Sequence, residues 1–415
     1  MIRRVEERLD KRFQEIEKIE ELRTRQVLDI FREAGVSYRH FSPTTGYGYD
    51  DIGRDTLEKV FAGIFHTEAA LMRPQIASGT AALSLSLFGL THPGERILSI
   101  TGLPYDTLIG ILGIGKTPGA GSLKEYGVDF DCVELKDGQI DLSAVRRAMT
   151  PKTSLVIAQR SRGYAWRRSL MPEDFEAVSA MLHTEFPGVL FMVDNCYGEF
   201  VREKEPTDFG ADVCVGSMIK NPGGGIAPTG GYIAGSAEAV DRIAWRLTAP
   251  GLGRELGSYA GSYRPYYQGL FMAPHTVAQA LKTAHLAAGL AEEIGLSATP
   301  AAEEIRADII QAIRMETPEG LVAFCQGLQA ASPVDSMALP EPWDMPGYED
   351  QVVMAAGTFV AGASIELSAD GPMRPPYTAY MQGGLTYAHG RIALKEAMER
   401  VLRGGSGKSI TIDKA

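Results

Sequence analysis

Ile2, Val5, Leu9, Phe13, Ile16, Ile19 or Leu22, Val27 and Ile30 recur at three- and four-residue steps through a stretch otherwise crowded with Glu, Arg and Lys. That spacing keeps the apolar residues on one face of a helix, so a long amphipathic helix is expected to about residue 34. Such a stripe needs a cover, and a partner subunit is one cover that would serve. The periodicity breaks in "HFSPTTGYGYDDIG" (40–53), a tyrosine-rich loop of Gly, Pro and Thr.

Helix and strand patterns then alternate. "TLEKVFAGIFH", "AALSLSLFGL", "YDTLIGILGI" and "DFEAVSAMLHTEF" read as helices, while "ERILSI", "TSLVIAQ", "VLFMVD", "ADVCVGS" and "GGYIAG" read as short apolar strands. Short apolar strands separated by helices predict a mostly parallel sheet covered on both faces. From about Pro274 the chain turns to Ala/Glu-rich helices, "TFVAGASIELS" alternates as an antiparallel strand would, and a last helix is expected over about 385–403. The fold class is therefore α/β, with three parts: an N-terminal helix and arm (1–54), a large α/β domain (55–273) and a smaller C-terminal α+β domain (274–415). "GGSGKSITIDKA" reads as a frayed tail.

Composition narrows the function classes. With 45% hydrophobic and 22% charged residues, the 415-residue chain reads as an ordinary globular protein with a large core. Its net charge of −11 argues against nucleic acid or an anionic membrane as partner. No apolar run approaches the roughly 18 residues of a spanning helix, and the charged N-terminus lacks a signal-peptide core, so the cytoplasm is expected. Four dispersed cysteines and seven scattered histidines suggest neither a metal site nor a disulfide framework.

"GILGIGKT" (110–117) matches the phosphate-loop pattern, but a helical pattern rather than a strand precedes it and Pro118 follows. The mechanism behind that motif needs a strand before and a helix after, so it is set aside as a glycine-rich loop. More telling is "GSMIKNPGGG" (216–225), which puts Lys220 where an apolar segment meets three glycines. The lysine either snorkels to water or is desolvated, and a desolvated amine sheds its proton and becomes a nucleophile able to form a Schiff base.

Other features bear on that choice. "SGTAAL" places Ser78, Gly79 and Thr80 at a helix start, an ordinary cap or a phosphate site. Asp194 ends a buried strand, where α/β proteins assemble their sites; it would suit a structural ion pair or a pyridinium nitrogen. Ser217 puts a hydroxyl three residues before Lys220, and Tyr105 sits at a loop-to-helix junction, packed in a core or stacked on a flat ring. Together they describe a site for pyridoxal 5'-phosphate: phosphate on the helix start, ring nitrogen on Asp194, aldehyde on Lys220.

The order Ser-Gly-Thr, tyrosine, aspartate, Ser-x-x-Lys, with Asp194 and Lys220 26 residues apart, resembles fold-type-I pyridoxal-phosphate enzymes of the Cys/Met metabolism group. "PYDTL", "VDNCYGEF", "GSMIKNPGGGIAPTGGYIAG" and "RPPYTAYMQGGLTY" resemble one branch more closely: the methionine γ-lyase-related proteins often labelled aluminium-resistance proteins. The resemblance runs from about Tyr38 to Arg403. It implies that Lys220 holds the cofactor, Asp194 pairs with its ring nitrogen, Gly79, Thr80 and Ser217 bind the phosphate, and Tyr105 stacks on the ring. It further implies that Tyr49 reaches the neighbouring subunit's phosphate and that Arg374 binds the substrate carboxylate, Arg391 being the competing candidate. The group's arginine two positions after that tyrosine is here Asp51, which leaves Arg54 as a substitute. The implied protein is a homodimer or homotetramer with sites at the subunit interface. Its implied activity is that of a carbon–sulfur lyase that eliminates a thiol from a small sulfur amino acid. γ-Replacement, aldol cleavage, or cofactor binding in stress resistance are the alternatives.

Overall fold

The computed structural model describes residues 1–115, 120–345 and 350–406, so Lys116 and Thr117 of the phosphate-loop match and the tail from 407 lie outside the described residues. Gly110 of that match falls inside a helix, Asp106–Leu112. Among the described residues no helix is long and apolar enough to cross a membrane.

The N-terminal periodicity forms one helix, α1 (Ile2–Glu33). Its stripe is covered from within the chain, which corrects the expected partner subunit. Val5 and Leu9 share a core with Ala284, Ala287 and Ala288, and Ile16 and Val27 share one with Val277 and Leu281. These partners lie on the 30-residue helix Arg264–Glu293. Alanine and glycine on that helix let α1 approach: a side chain at Gly289 would strike Val5.

The main sheet comprises β1 (Ala69–Arg73), β2 (Arg96–Ser99), β3 (Asp129–Cys132), β4 (Thr153–Gln159), β5 (Leu190–Asp194), β6 (Val213–Ser217) and β7 (Gly231–Gly235), in the order β1-β7-β6-β5-β4-β2-β3. Strands β2 to β6 pair in parallel, and β7 runs antiparallel to both β6 and β1. Successive side chains point to opposite faces of a strand. Thus Leu155, Ile157 and Met192 pack under α3 (Gly79–Leu90), α4 (Asp106–Leu112) and α7 (Ala237–Leu247), whereas Val156, Ala158 and Phe191 pack under α5 (Leu142–Ala148) and α6 (Glu176–Glu185). α2 (Ile52–Ile64) joins the core beside β1.

Residues 264–293 form α8, which runs unbroken through Pro274 and belongs to the cores on both sides of it. Beyond it, β8 (Ala298–Thr299), β9 (Gln311–Arg314), β10 (Val352–Ala355), β11 (Ser368–Pro372) and β12 (Thr378–Gln382) make an antiparallel sheet ordered β10-β11-β12-β9-β8. It packs on α9 (Pro318–Ala330) and α10 (Tyr387–Ser406). The strand expected over "TFVAGASIELS" is corrected: residues 358–367 are turns, and β11 begins only at Ser368. The buried Glu366 carboxylate takes the N–H groups of Phe359 and Val360, a satisfied alternative to strand pairing.

Candidate active site

Parallel pairing brings the carboxyl ends of β4, β5 and β6 side by side, with Gln159 registered on Asp194 and Asp194 on Val215. Above them lies a cavity of about 430 Å³, walled on the far side by Asp370, Pro372, Tyr380 and Gln382 of β11 and β12. The volume suits a small ligand. Lys220, Asp194, Tyr105 and Arg374 all line it.

Asp194 ends β5, and its Oδ1 accepts the Cys196 N–H at 3.1 Å. Burial raises its pKa, and the Lys220 charge opposes that rise. Lys220 follows β6, its amine 3.8 Å from the centre of the Tyr197 ring. Burial pulls the amine's pKa down, but Cys196, Tyr197, Asp194 and Tyr105 around it prevail and hold it well above the ordinary lysine value. Burial alone therefore does not set the charge of this amine. Among the described residues Lys220 is the cation that bears on Asp194.

The turn after Lys220 holds it in place. Asn221 Nδ2 donates to the carbonyls of Tyr197 (2.9 Å) and Glu199 (2.8 Å), tying the lysine's turn to the one that follows Asp194. A side chain on Gly223 would collide with the Met218 carbonyl, so only glycine fits there. Tyr197 has φ of +73°, a region costly to a bulky residue, and that turn presents its ring to Lys220.

Tyr105 caps α4 and donates its N–H to Gln159 Oε1 at 3.0 Å. Its hydroxyl lies 2.9 Å from Thr80 Oγ1, and its pKa is pushed up to about 12 by burial and by Asp194. Ser78, Gly79, Thr80 and Ser217 stand beside the cavity rather than on its wall. Ser78 caps α3, its Oγ accepting from Ala81 N–H. The first-turn N–H groups of Gly79 and Thr80 have no intrahelical acceptor. Gly79 packs against buried Ser217, where an added Cβ would lie 3.0 Å from the Ser217 Cβ. Helix start and strand end therefore meet at one point.

Tyr49, Asp51, Arg54 and Arg391 lie apart from this group. Tyr49 is 56% exposed, its ring tilted against that of Tyr47 with centroids 5.6 Å apart, and does not line the cavity of its own chain. Arg54 is buried and donates to the Gly48 carbonyl at 2.8 Å, so its guanidinium serves the loop that carries Tyr49. Asp51 caps α2 and accepts from Tyr263. Arg391 does not line the cavity; it lies on α10 and pairs with Glu6 of α1.

The sequence reading missed Arg162, Tyr164, Tyr197, Asp370 and Tyr380, which all line the cavity. Tyr197 and Tyr380 lie inside "VDNCYGEF" and "RPPYTAYMQGGLTY" without standing out there, and Arg162 and Tyr164 inside "QRSRGY" at the end of β4. It also missed a buried network behind the site. Arg23 of α1 donates to Glu205 Oε1 (2.6 Å), Asn195 Nδ2 donates to Glu205 Oε2 (3.0 Å), and Arg160 Nη1 donates to Asn195 Oδ1 (2.7 Å).

The methionine gamma-lyase family profile matches residues 1–402. The chain belongs to that family. A Listeria monocytogenes protein, provisionally described as a cystathionine beta-lyase involved in aluminium resistance, is 50% identical with a TM-score of 0.94 over 96% of this chain and 99% of its own. A carbon–sulfur lyase involved in aluminium resistance from Clostridium novyi is 45% identical, with a TM-score of 0.93 over 96% and 94% of the two chains. The uncharacterized protein YnbB of Bacillus subtilis is 49% identical over 94% of this chain and 93% of its own. The fold alone extends to the pyridoxal-5'-phosphate-dependent protein YhfS of Escherichia coli, at a TM-score of 0.62 and 18% identity. The family member described here thus has the fold-type-I architecture.

Proposed function

We propose that the cavity binds pyridoxal 5'-phosphate and that the protein is a carbon–sulfur lyase acting on a small sulfur amino acid. The observation that carries this reading is the buried Asp194–Lys220 pair on the cavity floor, next to the open first turn of α3. The donor set fits the cofactor. Lys220 offers a primary amine to an aldehyde, Asp194 a buried carboxylate to a ring nitrogen, and Tyr105 a face for a flat ring. Gly79, Thr80 and Ser217 offer N–H and hydroxyl groups to a phosphate. When bound, the cofactor supplies an electron sink for a carbanion at the substrate's α-carbon.

The chain's own groups do the rest. Were Asp194 paired with the ring nitrogen instead, the Lys220 amine would be free to give up its proton and to take the one on the α-carbon. Asp194, held by the Cys196 N–H, keeps a proton on that ring nitrogen. Tyr105, fixed through Gln159 and Thr80, keeps its side of the pocket in register and excludes water. Loss of a thiol from Cβ or Cγ, its sulfur taking up a proton, leaves an enamine that water hydrolyses to a 2-oxo acid and ammonia. The names borne by the Listeria and Clostridium relatives support elimination as the reaction.

The test has two parts. Borohydride reduction of the pyridoxal-phosphate-loaded protein should leave a label on the peptide holding Lys220; a label on the Lys116 peptide would overturn the assignment. Purified protein should then release both thiol and 2-oxo acid from at least one of cystathionine, methionine, homocysteine and cysteine. Release of neither from any of the four would overturn the lyase reading.

A further inference from the structure

We propose that Arg162, rather than Arg374, grips the α-carboxylate of the substrate; the assignment rests on the amino-acid lyase reading above. Both arginines line the cavity, but their circumstances differ. Arg374 is half exposed, and its Nη1 already holds Asp350 at 2.7 Å. A guanidinium neutralised and wetted in this way has little left to offer another carboxylate. Arg162 is 2% exposed, and its guanidinium donates from Nη1 to the Thr299 carbonyl at 2.8 Å. Among the described residues its Nε and Nη2 have no partner.

A buried guanidinium with two idle N–H groups is costly, and proteins keep one where an anion completes it. The surroundings sharpen the point. Arg306 is buried nearby, and its Nε and Nη1 are also unpartnered among the described residues. Burial and the neighbouring Arg162 charge together depress Arg306 to about 9. Of the acids that act on them, Asp308 ranks before Glu304 for both arginines, and its oxygens are already taken by Ser169 Oγ and the Ile310 N–H. Arg162 thus stands on the cavity wall with a second buried arginine, Arg306, near it and idle N–H groups on both. A carboxylate docked on Arg162 would answer that charge, and the planar fork of arginine offers it two parallel hydrogen bonds. Thr299 holds the remaining nitrogen, so the fork is oriented before the substrate arrives.

L-Norleucine and pentylamine test the assignment. They share a chain and an amine, neither can lose a thiol, and only norleucine has the carboxylate. Binding of each is read from the absorption change of the pyridoxal-phosphate-loaded protein. Wild type should favour norleucine strongly. Arg162→Gln should bind norleucine at least about thirtyfold more weakly, leave pentylamine and cofactor uptake unchanged, and so lose the preference. Arg162→Lys keeps the charge without the fork and should recover part of it, which separates a lost contact from a lost fold. Arg374→Gln should stay within about threefold of wild type, because Arg374 is already neutralised in water. If Arg374→Gln loses the preference while Arg162→Gln keeps it, the assignment is overturned and the lyase reading stands. Wild type that takes up no pyridoxal phosphate overturns both.

Discussion

Replacing Asp194 by asparagine keeps the shape of the side chain and removes its charge. The variant should still take up pyridoxal phosphate through Lys220 and the α3 turn, but lose turnover by about two orders of magnitude, because a neutral amide cannot hold a proton on a ring nitrogen. Steady-state rates within threefold of wild type would remove Asp194 from the role proposed. Glu199 gives a pH prediction. It is fully buried, accepts from Tyr232, and burial lifts its pKa to about 8. An acid whose folded pKa is raised destabilises the fold progressively as pH climbs from its unfolded value, near 4.5, through that folded value. Glu199→Gln should therefore match wild type in melting temperature near pH 4.5 and exceed it near pH 9, by an amount worth a few kcal/mol on the scale of about 1.4 per pH unit. A constant difference across that range would show that Glu199 does not titrate there. Residues of this kind differ in how far the sequence reveals them. Asp194 and Lys220 stand out by type and spacing, whereas Arg162 looks like any arginine of "QRSRGYAWRR" until the fold buries it.

At the scale of elements, periodicity served best where burial is one-sided. The α1 stripe and the β4, β5 and β6 strands follow the pattern of their apolar residues. The short strands β1 and β9 went unread, since "AALMR" and "QAIR" are too brief for a period to emerge. Residues 358–367 have the alternation of a strand without its pairing, because a side chain, Glu366, supplies the acceptors. The α1 cover was misassigned because the small residues that admit it lie more than 270 positions away, on α8. Leu9, fully buried in that contact, tests its worth. Leu9→Ala should cost about 2–5 kcal/mol in chemical denaturation. A loss below about 0.5 kcal/mol would mean that α1 is loosely docked.

At the scale of the molecule, the exposed pair of Tyr49 and Tyr47 lies outside the cavity of its own chain, on a loop braced by Arg54. We propose that a second copy receives it, so that each site is completed by its neighbour and the protein is at least a dimer. Mixing Tyr49→Phe with Lys220→Ala chains should then create hybrids with one site free of both changes, and activity above either parent. A monomer in sedimentation, or no gain on mixing, would end the idea. The chain of bonds from Arg23 through Glu205 to Asn195 has a consequence for motion. It connects α1 to the peptide next to Asp194 through groups that are almost wholly buried. Coupling of this kind is reciprocal: whatever steadies one end must steady the other. Ligand bound against Asp194 should slow amide hydrogen exchange around Arg23 at the far side of the network, and Glu205→Gln should weaken that protection. The first helix of the chain would thereby report, in its exchange rates, whether the site is filled.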